Sequence, residues 1–445
     1  MTECNTKVRF DFQSKSELRA EFSGGELSSD GGVTLLAQAD KKTKLIECLS
    51  ACIEDPRDAS KVTHRQIELL RQRVYQIACG YEDADDSDHL RTDRAMKIAL
   101  DRLPETDPDL GSQPTITRLE NRVTKKELSK IRSMFVEHYL DRFKEAPQQI
   151  VLDVDGWDDP THGQQEFSFY HGFYEQHMYF PVQISDAEMG VPIIELLRAG
   201  NRHPGKGING MLRWLFWKIR TRFPNVKIIL RGDSGFSLPE ILNTCERSKV
   251  FYLCGIARNA VLERKIEYLL DCAQLAAFNS SQGKARLFDD VYYMSQSWSA
   301  PRRVIMKAEV LPKGQNPRFL VTNLSEDPKE LYENLYVQRG EDCENRIKEF
   351  KHGIKADRLS CHLFVANQFR LFLHQAAYLL MIEIRKAAIG TSFAKAQVET
   401  IRMHLMKIAA SITQSARRIW VRFASSCPAQ QAFAAIAAAL TLNTG

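Results

Sequence analysis

The segment QQIVLDVD (148–155) decides the fold class, because it has the pattern of a strand in a core and also carries two acids. Apolar residues at positions 150, 152 and 154 alternate with a second face that ends in Asp153 and Asp155. Side chains repeat every second residue along a strand, so the two carboxylates share one face. An acid within a core strand is costly unless it is paired, hydrogen-bonded or bound to metal. Both aspartates are therefore candidate site residues.

A helix and two further strands follow this segment. GINGMLRWLFWKIRTRF (207–223) has a strong helical pattern, VKIIL (226–230) is a short apolar strand that runs into RGDSGF, and KVFYLCGI (249–256) is another strand. This order indicates an α/β or mixed α+β core. Asp233 stands where the second strand ends, and ligands and catalytic groups collect at such strand ends. A turn-forming or helix-capping role for Asp233 is an equal alternative.

The pattern changes at several points along the chain. Between residues 258 and 326, the segments ARLFDDVYYMSQSW, RRVIMKAEVL and RFLVTNL resemble antiparallel strands separated by polar turns. Helical patterns dominate before residue 130 and return from Pro328. The predicted regions are a mainly helical N-terminal region (1–130), a core in two parts (148–257 and 327–390), a β-rich insertion (258–326) and a C-terminal helical region (391–445).

Composition and charge limit the classes of protein that are possible. The chain has 445 residues, of which 44% are hydrophobic and 26% charged, as in ordinary globular proteins. It has no apolar run of the roughly 20 residues that span a bilayer and no apolar N-terminal segment typical of a secretory signal. A soluble, cytoplasmic protein is expected, with no membrane partner.

Basic residues are clustered although the net charge is only 61 − 56 = +5. The clusters are HRQIELLRQR (64–73), RWLFWKIRTRF (213–223) and ARRIWVRF (416–423), and each mixes Lys or Arg with apolar residues. A phosphate backbone would be attracted to such faces. A solvated amphipathic face explains them equally well.

The segment GEDCENRIKEFKHGI (340–354) predicts a helix packed on the core, because residues 343, 347, 350 and 354 form an apolar stripe. Glu344 borders this stripe, and Lys348 and Lys351 follow it at i+4 and i+7. A surface Glu–Lys pair is the commoner explanation for such spacing. Glu344 gains significance only together with the two aspartate motifs.

Three motifs in order resemble those of DDE transposases of the bacterial insertion-sequence group related to IS4, and most closely its IS1380-type branch. They are LDVDGWDDPTHGQQE (152–166), ILRGDSGF (229–236) and YVQRGEDCENRIKEFK (336–351). FSGGELSSDGG, SQPTITRLEN, LLRAGNRHPG and ANQFRLFLHQAAY are supporting matches, and the resemblance covers essentially the whole chain. It implies a ribonuclease-H-like catalytic core interrupted by the β-strand insertion, with helical N-terminal and C-terminal regions, the former binding DNA.

The resemblance also implies the site residues. The first catalytic aspartate falls on Asp155, with Asp153 as its rival, the second on Asp233 and the glutamate on Glu344. These acids would hold Mg²⁺, for which Mn²⁺ can substitute, since carboxylates are the hard oxygen ligands that Mg²⁺ prefers. The residues implied for DNA contact are Tyr336, Arg339, Lys348, Lys351 and the aromatic Trp298. For Trp298, an ordinary core or sheet position is the better explanation.

The chain departs from the family pattern at two positions. Trp157 stands where the family often has Thr, and four residues rather than three separate Arg339 from Glu344. A break of the helix at Gly340 would absorb the extra residue. Glu341 is the poorer alternative to Glu344, because it would fall in the first turn after such a break.

The activity implied is DNA cleavage at transposon ends and joining of the 3′-OH to target DNA. The implied partners are double-stranded DNA, both terminal inverted repeats and target, and a second copy of the chain in the DNA complex. The protein would act in the bacterial cytoplasm, associated with the nucleoid. A structure-specific nuclease of ribonuclease-H-like fold and a catalytically silent, transposase-derived DNA-binding protein are the alternatives.

Overall fold

The structure is a computed structural model that describes residues 7–8, 18 and 20–441. Runs of strands and runs of helices follow each other along the chain, and single strands and helices alternate only in residues 209–278. The strands are β1 (Lys7–Val8), β2 (Ala20–Glu21), β3 (Leu27–Ser28), β4 (Gln149–Gly156), β5 (Asp159–Pro160), β6 (Phe169–His171), β7 (Gln176–Tyr179), β8 (Val182–Asp186), β9 (Val191–Leu196), β10 (Lys227–Gly232), β11 (Phe251–Ile256), β12 (Ala285–Tyr293), β13 (Arg302–Leu311), β14 (Gly314–Gln315), β15 (Arg318–Thr322), β16 (Ala410–Gln414) and β17 (Ile419–Phe423).

The helices include several short ones. They are α1 (Val33–Thr43), α2 (Leu45–Ala51), α3 (Gln66–Ala78), α4 (Asp86–Leu90), α5 (Arg94–Ala99), α6 (Gln113–Arg122), α7 (Lys125–Leu140), α8 (Asn209–Arg222), α9 (Pro239–Arg247), α10 (Ala260–Phe278), α11 (Pro328–Glu330), α12 (Val337–Lys348), α13 (Phe364–Ala387), α14 (Val398–Ile401) and α15 (Gln430–Leu440). None of the helices within the described ranges is long and apolar enough to cross a membrane.

The central sheet has the strand order of a ribonuclease-H-like core. Its relevant part runs β9-β8-β4-β10-β11, which is 3-2-1-4-5 when the strands are renumbered from β4. β8 is antiparallel to both β4 and β9, whereas β10 is parallel to both β4 and β11. The predicted mixed α/β fold is confirmed.

The two faces of the sheet differ in chemistry. Ile150, Leu152 and Val154 of β4 are buried in the main apolar cluster, which also contains the buried face of α8. That face consists of Leu212, Leu215, Phe216 and Ile219, at helical spacing. The other face of β4 carries Asp153 and Asp155, so alternation directs both acids away from this cluster.

The strands predicted in residues 258–326 continue the same sheet. β15 is antiparallel to β11, and β13 and β12 follow in order. Helix α10 precedes them and was not predicted; its buried side chains Leu262, Ile266, Leu270 and Ala273 pack into the main cluster. The insertion therefore extends the core instead of forming a separate sheet.

The chain divides into two compact units that combine distant segments. One unit contains the described residues up to Ile46, Pro56–Thr117 and the chain from Leu380 onward. The other contains Glu47–Asp55 and Arg118–Leu379, and so includes the whole central sheet. The C-terminal region thus shares a unit with most of the N-terminal region, whereas residues 47–55 and 118–130 belong to the other unit. A DNA-binding role for residues 1–130 remains a prediction.

Glu309 on β13 is expected to stabilise the protein in a pH-dependent way. Burial works against its charge, but hydrogen bonds from Lys307 and Arg286 together outweigh burial and lower its pKa to about 2. A lowered folded-state pKa means that this stabilisation is present above the unfolded pKa, about 4.3, and is lost as the pH falls towards 2.

Urea unfolding of the wild type and Glu309→Gln at pH 7, 5 and 3 measures this contribution. The difference in unfolding free energy between the two proteins is expected to be largest at pH 7 and to shrink by pH 3. A difference that does not change with pH would contradict the assignment.

Candidate active site

Asp153 is neutralised by an arginine on the next strand. Arg231 of β10 pairs in register with Asp153 of β4, and its Nε and Nη2 donate to Oδ1 and Oδ2 at 2.7 and 2.8 Å. Both side chains are almost completely buried. Arg346 of α12 approaches the same carboxylate, with Nη1 3.6 Å from Oδ2. Asp153 is thus held in a buried bidentate ion pair, and both its oxygens are occupied by protein donors.

Asp155, two residues later on the same face, lies at the end of the strand and is less enclosed. Its Oδ2 accepts a hydrogen bond from Nη2 of Arg339 at 2.8 Å, and its Oδ1 accepts one from the backbone N–H of Gly156. Burial raises the pKa of Asp155, Arg339 opposes this and Asp233 adds to it, for a result of about 6. Asp155 and Asp233 therefore lie close enough for their charges to repel.

Asp233 follows the last residue of β10. Gly232 pairs with Val154 of the parallel strand β4, so Asp233 and Asp155 both lie at the carboxyl edge of the sheet. The Asp233 Oδ1 also accepts a hydrogen bond from the N–H of Gly235 at 2.9 Å and caps a single helical turn. Asp233 thus has the capping role considered as an alternative and also lies beside Asp155.

Helix α12 covers this edge with a face that does not include Glu344. Arg339 and Cys343 both contact Asp155, the Cys343 Sγ lying 3.9 Å from Oδ2, and Arg346 donates to the Ala187 carbonyl. These residues are spaced i, i+4 and i+7 on one face. The Glu344 carboxylate is two-thirds exposed and forms a 2.7 Å ion pair with Lys348.

The expected break at Gly340 is absent. Helix α12 runs without interruption from Val337 to Lys348, so the extra residue between Arg339 and Glu344 is not absorbed. Five residues at about 100° each place the two side chains about 140° apart around the axis. The prediction of a break is wrong because an exposed glycine in a helix interior costs only about 1 kcal/mol, which the buried stripe of this helix offsets.

A cleft of about 460 Å³ opens beside Asp233. Its walls include Tyr336 and Arg339 as well as Arg258 and Arg318, which the sequence motifs did not single out. One carboxylate and three arginines line the same space, so the cleft favours an anionic group next to Asp233.

Residues 10–444 match the family model described as transposase DDE domain group 1. The chain belongs to this transposase family. No curated protein matches the chain. Among solved structures, the cryo-EM structure of a piggyBac transposase synaptic complex with hairpin DNA is similar, with a TM-score of 0.44 and 13% sequence identity over 85% of this chain and 80% of that chain.

Three further residues that were predicted to contact DNA in this transposase occupy different environments. The Lys351 Nζ forms a 2.7 Å ion pair with Asp158 and is mostly buried. Tyr336 is partly buried in the wall of the cleft, and burial raises the pKa of its hydroxyl. Lys348 is exposed and paired with Glu344.

Trp298 is a core residue of the transposase, and its prediction as a DNA-stacking aromatic is corrected. It is only 7% exposed and belongs to the main apolar cluster. Its ring makes an edge contact with Tyr293, with centroids 5.5 Å apart, and the Arg302 guanidinium lies over it at 5.1 Å. Because so little of the ring is exposed, a base has no access to it.

The sequence reasoning missed several side chains at the site. Arg231 was detectable in principle, because a basic residue within a buried strand requires an acidic partner on a neighbouring strand. Tyr174, between β6 and β7, is near enough to the acids that, after burial, Asp158, Asp155 and Asp233 raise the pKa of its hydroxyl. Nothing in the sequence placed Tyr174, Arg258 or Arg318 beside this edge of the sheet.

Proposed function

We propose that the chain is a DNA transposase that cleaves transposon-end DNA and joins the freed 3′-OH to target DNA, with Asp155, Asp233 and Glu344 as its catalytic acids. The observation that carries this proposal is the pair of acids at the carboxyl edge of two adjacent parallel strands, in a chain of the DDE transposase family. The buried ion pair of Asp153 with Arg231 supports Asp155 as the first acid, because Asp153 is fully enclosed with its charge already paired, whereas the Asp155 side chain is 23% exposed at the end of the strand.

The two aspartates suit a divalent cation. Burial and the nearby charge of Asp233 both raise the pKa of Asp155, to about 6, and a bound cation would offset the repulsion between the two carboxylates. Within the described residues no three acidic, histidine or cysteine side chains are placed so that they could together hold a metal ion. Asp155, Asp233 and Glu344 would hold Mg²⁺, or Mn²⁺ in its place, which when bound stabilises the charge on the attacking and leaving oxygens.

Arg339 is the residue that must move for this site to form. It donates to Oδ2 of Asp155, and its own charge is stabilised by Asp155. On substrate binding, the phosphate oxygens of the DNA offer it an alternative acceptor in the adjoining cleft. Arg339 would thereby exchange a carboxylate for a phosphate and hold the DNA strand beside Asp155 and Asp233.

Glu344 reaches the site in our proposal by a shift of one residue along the helix. The turn at residues 349–353 is π-helical, with the Ile354 N–H bonded to the Glu349 carbonyl, and so holds one residue more than an α-turn. If this wider turn moved to a point between Arg339 and Glu344, each of the residues 344–348 would shift by one position along the helix. Each would then occupy the position that the residue before it holds now. Glu344 would then occupy the place of Cys343, next to Asp155.

Cys343 itself is a poor third ligand. Burial raises the pKa of its thiol to about 12, and Asp155 and Asp153 add to this. The thiol is therefore neutral at physiological pH, and Mg²⁺ prefers oxygen ligands. This supports Glu344 as the third acid despite its present orientation.

Arg258 and Arg318 are expected to bind the DNA backbone in the cleft next to Asp233. Each charge-assisted hydrogen bond to a phosphate contributes about 1.5–3 kcal/mol, so Arg258→Ala and Arg318→Ala should each raise the KM for end DNA about tenfold or more. The turnover of the bound complex should change little. Arg264→Ala, which removes an exposed arginine from α10, is the matched control, and equal KM values in all three variants would refute the role of the cleft.

The proposed reaction implies DNA and a second copy of the chain as binding partners. Double-stranded DNA would bind as both transposon end and target, and two copies of the chain would act together because two ends must be joined. Membership of the IS1380-type branch, a bacterial origin and association with the nucleoid form part of the same proposal. They are supported by the motifs at residues 152–166, 229–236 and 336–351.

A second candidate function is a catalytically silent DNA-binding protein of the same family. One observation favours it: the Glu344 carboxylate points to solvent and is paired with Lys348 instead of facing the aspartates. A nuclease of ribonuclease-H-like fold would use the same acids but would show no preference for end sequences and no joining.

Incubation of the purified protein with Mg²⁺ and labelled DNA tests the three functions together. The DNA should carry the gene with its native flanking sequence, and a supercoiled plasmid serves as target. We expect cleavage at the element's ends followed by covalent joining to the plasmid. Cleavage without preference for the ends would identify a nuclease, and tight binding without cleavage would identify the silent protein.

A further inference from the structure

The hairpin formed by β16 and β17 presents an aromatic side chain between two arginines on its solvent face. Alternation places Arg418, Trp420 and Arg422 on one side of β17, and all three are exposed, the tryptophan by half. On the opposite side, Phe423 packs against Phe433, with ring centroids 4.9 Å apart. The hairpin is thus anchored by one face and leaves the other open.

The side chains of Trp420 and Arg422 hold each other in place on this face. The Arg422 guanidinium lies over the Trp420 ring at 5.3 Å, and its Nη1 donates to the Thr413 hydroxyl of β16 at 3.0 Å. A guanidinium that is fixed before binding loses less conformational entropy when it meets an anion. No carboxylate is paired with Arg417, Arg418 or Arg422 among the residues that the structure describes.

Local charge makes an anionic partner the best fit. Residues 400–445 contain five basic residues (Arg402, Lys407, Arg417, Arg418 and Arg422) and no Asp or Glu, for a charge of +5. The whole chain has that same net charge, so the remaining residues together are neutral. Lys407 is paired with Asp30 and Arg402 is buried. The uncompensated positive charge is therefore concentrated on the exposed hairpin.

We propose that this face, defined as the Arg418–Trp420–Arg422 face, binds the phosphate backbone of double-stranded DNA. Four residues of strand span about 13 Å, and duplex DNA carries one negative charge per about 1.7 Å of its axis, so both arginines reach phosphates of one duplex. Trp420 lies between them and covers the sugar surface. The contact reads no sequence, because phosphates carry none.

Protection of a sheet edge against aggregation is the ordinary reason for charges on an outer strand. β17 is such an edge, since its only partner in the sheet β17-β16-β3 is β16 within the described strands. Protection does not require a half-exposed tryptophan, which by itself favours association. The combination of Trp with Arg is typical of surfaces that bind nucleic acids.

The inference rests on the proposed function only in taking DNA as the partner, and its test requires no catalysis. Anisotropy of a short labelled duplex without Mg²⁺, between about 50 and 200 mM NaCl, gives the slope of log K against log salt concentration. Each phosphate contact contributes about −0.9 to this slope. Arg418→Ala/Arg422→Ala should therefore reduce its magnitude by about 1.8.

Two further variants make the result specific. Arg264→Ala/Lys265→Ala removes the same charge from exposed positions of α10 and should leave the slope unchanged. Trp420→Ala should weaken binding with the slope unchanged, because the ring contacts the sugar surface and neutralises no phosphate. Thermal unfolding of each variant checks that the fold is retained.

Equal slopes for Arg418→Ala/Arg422→Ala and its control would overturn the proposal. The proposal would also be overturned if Arg418→Ala/Arg422→Ala formed a smaller oligomer than the wild type but bound DNA equally well. That result would identify the face as a contact between copies of the chain. Loss of slope in a protein that never cleaves DNA would leave this inference intact and refute only the catalytic function.

Discussion

Asp155→Asn and Asp233→Asn are each expected to lose at least about a thousandfold in the rate of DNA cleavage, while remaining folded. A carboxylate that holds a catalytic cation supports several kcal/mol of transition-state stabilisation, and about 4 kcal/mol corresponds to a thousandfold. Asparagine keeps the shape of the side chain and removes its charge. Single-turnover cleavage of end DNA measures the effect.

The structure provides a control for the variants Asp155→Asn and Asp233→Asn. Asp271→Asn changes an exposed acid on α10 and should cleave at the wild-type rate. Stability should not fall in Asp155→Asn at pH 7, because the pKa of about 6 means that the folded state bears a cost for the charged form. Cleavage by Asp155→Asn within tenfold of the wild type would exclude Asp155 as a catalytic acid.

Asp153→Asn is expected to reduce the free energy of unfolding by about 3–5 kcal/mol, since it leaves the buried Arg231 without a charged partner. That loss is a large share of the stability of a typical protein. Urea unfolding at pH 7 measures it. The same substitution at Asp155 should have a much smaller effect, so the two neighbours are separable by stability as well as by activity.

A double variant shows whether the stability lost in Asp153→Asn comes from leaving the buried Arg231 charge unpaired. Asp153→Leu/Arg231→Met replaces both charges with apolar groups of similar size, and such replacements of buried ion pairs are often neutral or stabilising. The double variant is expected to be more stable than Asp153→Asn. Equal losses in both would mean that packing at this position, and not charge pairing, determines the stability.

The sequence predicted several strands and helices of the core because their patterns are local, although it missed helix α10. Alternation in residues 148–155 was enough to predict β4, and periodicity was enough to predict α8. The order of the strands depends on pairing between distant segments, which alternation does not encode. The family resemblance supplied the ribonuclease-H-like arrangement that the pairing of β4 with β8 and β10 confirms.

The site was predicted less completely, for the same reason. Asp153 and Asp155 share a face, so nothing local in the sequence distinguishes them. The difference comes from Arg231, which is 78 residues away in the sequence and pairs with Asp153 but not with Asp155. The apolar stripe of residues 340–354 was predicted, and Cys343 and Phe350 are buried in it. One residue too many before Glu344 nevertheless turns its side chain out of the site, which no pattern of apolar residues records.

Cleavage by variants of helix α12 tests the central claim most directly. With Mg²⁺ and end DNA, Glu344→Gln should lose about a thousandfold in rate, like the aspartate variants, whereas Glu341→Gln should stay near the wild type. Cys343→Glu/Glu344→Gln places a carboxylate on the face that already contacts Asp155 and should recover much of the lost rate. Full activity in Glu344→Gln would contradict the account.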